Sequence, residues 1–163
     1  VSSWSAAAAG VTVAEALLFP TVRPRRAVQR ISTVAEPGSA SGGVRLLLRA
    51  EGLVVLTAAV AAYAQFGAGW GWFAALFLLP DVSFLAYLAG PRAGAWAYNA
   101  MHSYLGAVAL LAAGVLGGMP MLLAVGLVWC AHIGFDRLLG YGLKYSSGFG
   151  HTHLGRLGRR DPW

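Results

Sequence analysis

From residue 46 to residue 139 the chain is a succession of apolar runs separated by short links that carry glycine or proline. The runs cover about 46–66 (LLLRAEGLVVLTAAVAAYAQF), 70–89 (WGWFAALFLLPDVSFLAYLA), 93–117 and 119–139. Each approaches the ~20 residues that an α-helix needs to cross a bilayer. The links GAG, GPR and GMP hold the residues of tight turns, and links this short make consecutive helices antiparallel neighbours. The pattern predicts an all-α fold, an integral membrane four-helix bundle with antiparallel up-down topology.

Either side of the apolar core the texture changes. Residues 1–43 read as a flexible basic leader: SAAAAGVTVAEALLF is interrupted by Glu15 and preceded by no basic residue, so it makes a poor signal peptide. RPRRAVQR and EPGSASGG then read as linker. Residues 44–140 form the transmembrane domain, and 141–163 a glycine-rich, basic tail.

Charge orients the bundle. Only 11% of the 163 residues are charged, against about a quarter in a soluble domain. The first and third links carry no charge, and every basic residue lies on the N-terminal flank, in the second link (Arg92) or at the C-terminal end. By the positive-inside rule that side is cytoplasmic, with N-in/C-in termini. The net charge of +6 is thereby assigned to topology. Without interleaved aromatic and polar groups it does not suit nucleic acid; the expected partner is the lipid bilayer, with a homo-oligomer or larger membrane complex compatible. The single cysteine, Cys130, excludes an intramolecular disulfide.

Polar residues inside the runs are few, and they share one half of the membrane. Glu51, Asp81, Asn99, His102, His132 and Asp136 lie roughly 5–13 Å from the cytoplasmic ends of their helices at 1.5 Å per residue. Asn99 and His102 share a helix face, as do His132 and Asp136. Small residues continue these faces (Gly106, Ala109 and Ala113; Ala58 and Ala62 beyond Glu51), marking them as helix contacts. Pro80 is expected to kink the second helix just before Asp81.

An ionisable group inside a bilayer is a functional hypothesis by default. Asp81, His102 and Glu51 are candidates for acid–base catalysis. His102, His132, Asp136 and Asp81 are an adequate ligand set for a divalent metal such as zinc or iron, and Asn99, Arg137, Tyr141 and Lys144 are candidate binding residues. The pairing of Arg49, Arg92, Arg137 and Lys144 with the carboxylates, as a purely structural network, is the competing expectation. The Glu-x-x-His and His-Glu-x-x-His motifs are absent. Ser83 and Ser103 have no nucleophile-elbow context. In the tail, the loose glycine backbone near Lys144 suggests an anion cradle, and His151 and His153 a further metal pair. The membrane cluster suits three roles: chemistry on a lipid-borne or small amphipathic substrate, a proton or small-ion relay, or assembly of an accessory subunit.

RAEGL, LPDVSFLAYLAGPRAGAWAYNAMHSYL and AHIGFDRLLGYGLKY followed by GFGHTHLGRLG carry a resemblance. Over about residues 45–158 the chain resembles a bacterial family of small integral membrane proteins described as domain of unknown function 4260. The resemblance implies a multi-pass membrane fold and brings no activity or catalytic residue with it.

Overall fold

The computed structural model describes residues 38–157. Most of the expected leader, residues 1–37, lies outside them, as does the end of the tail. Helix α1 runs Gly42–Phe66 and α2 Trp70–Phe77, followed by a 3-10 helix over Leu79–Ala89. Helices α3 (Pro91–His102) and α4 (Tyr104–Leu116) are two halves of one span, and α5 covers Pro120–Leu139. Proline stands in the first turn of α3 and of α5, where its missing N–H costs nothing. Four stretches, 42–66, 70–89, 91–116 and 120–139, are long and apolar enough to cross a membrane.

Two of the four spans change geometry midway. In the second, the α-helix gives way to eleven residues of 3-10 helix around Pro80, so the expected kink takes the form of a change in helix type. Runs beyond three or four such residues are uncommon. The larger 3-10 rise carries Leu79–Ala89 about 22 Å, which with about 12 Å from α2 exceeds the ~30 Å bilayer core. At three residues per turn, Asp81, Phe84 and Tyr87 share one edge. That edge lies against α3, where a Cβ on Gly94 would come within 2.2 Å of the Tyr87 ring.

In the third span the break is at Ser103, whose backbone is extended (φ −94°, ψ 149°). The carbonyls of Met101 and His102 thereby lose their helical partners, a cost of several kcal/mol each in lipid. Side chains of α5 replace those partners: Trp129 Nε1 donates to Met101 O, and Arg137 Nη2 donates to His102 O at 2.8 Å. The break therefore persists because another helix satisfies it.

Helix α5 is the centre of the fold. Within its apolar window 61% of residues are buried, against 6–17% for the other spans. It meets α1 where a Cβ on Gly52 would fall 2.8 Å from Gly134 O, and one on Gly134 2.7 Å from Leu56 N. Between lipid-bathed helices, backbone approach of this kind supplies the packing. The seams are displaced from those expected. On α1 the buried line is Gly52, Ala59 and Tyr63, one residue on from Glu51, Ala58 and Ala62. On α4 it is Ala107 and Gly114, with Ala109 and Ala113 exposed while Gly106 of the expected line packs against Trp129 of α5, because the break at Ser103 resets the helical phase. Helix α5 stops at Gly140 in the left-handed conformation (φ 95°), with Tyr141 N donating to Asp136 O at 2.7 Å, a Schellman closure.

Candidate metal centre

His102 is the last residue of α3, His132 and Asp136 lie one turn apart on α5, and Asp81 opens the 3-10 helix. Pro80, the Ser103 break and the Gly52–Gly134 crossing bring these elements together. The Nε2 atoms of His102 and His132 are 3.0 Å apart, and Asp81 Oδ1 lies 3.4 and 3.6 Å from them. A point equidistant from three atoms so spaced lies about 1.9 Å from each, close to the 2.0–2.2 Å of zinc–nitrogen and zinc–carboxylate bonds.

A hydrogen bond fixes the His102 ring, whereas His132 Nδ1 is buried with no such partner among the described residues. His102 Nδ1 is 2.9 Å from the carbonyl of Tyr98, which only accepts, so Nδ1 carries the proton and Nε2 turns a lone pair to the cluster. A ligating histidine ordinarily donates its other nitrogen in this way. The Tyr98 ring stacks on His102 at 3.7 Å, and Phe77 meets His132 edge-on. Tyr98 Oη donates to Asp136 Oδ2 at 3.0 Å, holding that oxygen 3.5 Å from His102 Nε2. The histidines are 0% and 2% exposed, whereas the Asp81 side chain is 41% exposed.

Not every expected residue joins this cluster. Glu51 is exposed and borders a separate cavity of about 340 Å³ with Ser103, Arg137 and His153. The α1 seam passes through Gly52, which turns Glu51 aside. The expected pairing of cations with cluster carboxylates is replaced by bonds to main-chain carbonyls. Arg49 donates to Leu138 O at 2.8 Å and Arg137 to Tyr141 O at 2.7 Å as well as to His102 O. Arg92 is exposed. Open carbonyls at the helix ends are the nearer demand, and Arg137 and Lys144, at 8% and 4% exposed, lie buried.

The tail is folded, contrary to the loose segment expected. Asn99 grips it with two hydrogen bonds, from Nδ2 to Lys144 O at 2.8 Å and from Lys144 N to Oδ1 at 2.7 Å. Beyond it β1 (His151–Thr152) pairs with β2 (Gly155–Arg156), and Ala40 N donates to His153 O. Asn99 therefore positions the tail backbone. The Lys144 ammonium lies 3.4 Å from the centre of Phe149, 4.7 Å from Tyr98 and 5.2 Å from Phe84, and donates to Phe149 O at 3.1 Å. Burial pulls its pKa down to about 8, opposed by Asp136, so it stays cationic at neutral pH. The tail histidines are engaged separately: His153 Nδ1 accepts from Leu143 N at 2.7 Å, and His151 Nδ1 is 2.9 Å from Ser147 Oγ. Burial, then Arg137, lowers the pKa of His153.

A pocket of about 380 Å³ opens beside the cluster, walled by Asp81, Asp136, Lys144, Tyr141, Phe84 and Phe149. The histidines lie behind the carboxylates. Sequence reasoning missed this aromatic wall, because it depends on the tail returning over α3 and the 3-10 helix.

Four membrane-length helices around a buried His–Asp cluster mark a multi-pass membrane protein of undefined activity. Residues 45–157 match the family described as Domain of unknown function (DUF4260), and the chain belongs to it. Comparison with curated proteins and with solved structures gives no match.

Proposed function

We propose that this is a bacterial inner-membrane protein that binds one divalent transition metal, zinc or iron(II), at Asp81, His102 and His132. In this reading the metal serves chemistry on an amphipathic or lipid-borne substrate at the cytoplasmic leaflet. The helices run antiparallel with both termini cytoplasmic. The basic flanks support that orientation, as does the bond from Ala40, before α1, to His153, after α5.

The observation that carries the metal assignment is the triangle formed by His102 Nε2, His132 Nε2 and Asp81 Oδ1. Two imidazoles and one carboxylate are a set of the catalytic kind, which leaves a coordination position open. Such an ion polarises a carbonyl or phosphoryl oxygen and lowers the pKa of water. Asp136, which borders the pocket, serves as the base, and Tyr98 Oη fixes its Oδ2 beside His102.

Elemental analysis of protein purified in mild detergent without chelator tests the assignment. About one zinc or iron per chain is expected, lost in His102→Ala and in His132→Ala. A parent chain free of stoichiometric metal overturns it. A second reading, a proton relay, is favoured by the unbroken series Asp81, His132, His102, Asp136 at 3.0–3.6 Å. It requires a proton flux in liposomes that Asp81→Asn abolishes, and a metal-loaded parent without flux excludes it.

A further inference from the structure

The proposed metal leaves the adjoining pocket chemically lopsided. Lys144 is more than nine-tenths buried, and its ammonium has one hydrogen-bond partner for three donors. Among the described residues no carboxylate lies within 4 Å of it. Three aromatic faces stabilise the cation in place, but they do not neutralise it. The charged side chains that wall the pocket are Asp81, Asp136 and Lys144. Arg137 stands behind Asp136, with its guanidinium turned to the carbonyls of His102 and Tyr141.

Charge balance then depends on the ion. Without metal, the two carboxylates offset Lys144 and the Arg137 charge behind Asp136, and the pocket has no net attraction for an anion. A divalent ion cancels the carboxylates and leaves the Lys144 charge, in a site where low polarity strengthens every interaction. The remaining walls are Phe84, Phe135, Phe149 and Leu157, with the rings of Tyr98 and Tyr141. Pockets for whole ligands span roughly 300–1,000 Å³, so about 380 Å³ suits a head group with the first part of a chain.

We infer that this pocket recognises a singly charged oxyanion carried on an apolar chain, held between Lys144 and the metal. The inference rests on the metal reading above and names its substrate class. Metal and anion binding are reciprocally coupled, each raising the affinity of the other by the same factor.

The test uses the full chain in phosphatidylcholine nanodiscs, with metal content measured first. Radiolabelled decanoate is the probe, acetate the water-borne anion of the same head group, and decyltrimethylammonium the cationic control. Decanoate is expected to bind the metal-loaded protein at least tenfold more tightly than the chelated protein, and at least tenfold more tightly than Lys144→Met. Acetate is expected to bind more than tenfold more weakly, and the cationic control not to compete. A metal-loaded parent that holds decanoate no better than the chelated chain overturns this inference and leaves the metal reading intact. A parent without metal overturns both, before any anion is added. Equal binding of acetate and decanoate overturns the apolar-chain assignment. If Lys144→Met does not fold, the comparison of loaded with chelated parent decides alone.

Discussion

The Nε2 atoms of His102 and His132 face each other at 3.0 Å from different helices, with neither residue more than 2% exposed. Two ring nitrogens so placed share either a proton or a cation. The His102 lone pair is already fixed by the bond to Tyr98 O, and Asp81 Oδ1 closes the third corner. A carboxylate beside the His102 lone pair favours the cation, while His132 Nδ1 is buried with no hydrogen-bond partner among the described residues, so no bond fixes that ring's tautomer. The backbone devices of the fold serve this encounter: Ser103 ends α3 at His102, and Arg137 and Trp129 hold that end in place.

The α1–α5 crossing admits no added atom. Gly134→Ala sets a Cβ 2.7 Å from Leu56 N and 2.8 Å from Gly52 O, both backbone. A loss of about 1–3 kcal/mol is expected, read as a lower unfolding temperature in detergent. Gly71→Ala in α2 meets nothing within 4 Å and is expected to hold or raise that temperature. Equal effects of the two would refute the crossing.

Removing the Asn99 side chain leaves the Lys144 N–H and carbonyl without their partners, at about 1–3 kcal/mol for the buried groups. Asn99→Ala is therefore expected to speed hydrogen exchange across residues 141–157 while the four spans keep their protection. Unchanged exchange in the tail would show that something else anchors it.

Lys144 links stability to pH. Its proton leaves the folded chain near pH 8 but the unfolded chain only near its ordinary value of 10.5. Between those values the unfolded state binds more protons, so stability rises with pH across that window. The rise is at most about 3 kcal/mol from this group. Lys144→Met is expected to flatten the profile between pH 8 and 10.5, and parallel profiles for the two proteins would contradict the buried cation.

The spans and the cluster were legible in the sequence for different reasons. Apolar length and turn residues are local signals, so the spans agree to within a few residues, and Gly140 ends α5 as expected. Asp81, His102, His132 and Asp136 stood out because charge is rare inside apolar runs. The helix seams were less legible, since the lines through residue 51 and residue 52 are both rich in small side chains and lie 100° apart. The Ser103 break had no proline or glycine to announce it, being stabilised from another helix by Trp129 and Arg137. The burial of Lys144 was not legible, because only the folded tail, gripped by Asn99, encloses it.

The most direct test of the metal assignment is an anomalous-difference density map of the protein at the zinc or iron edge. The account predicts one peak about 2 Å from His102 Nε2, His132 Nε2 and Asp81 Oδ1. A map with no peak there and a direct His102–His132 hydrogen bond, or with the metal held elsewhere, would contradict it.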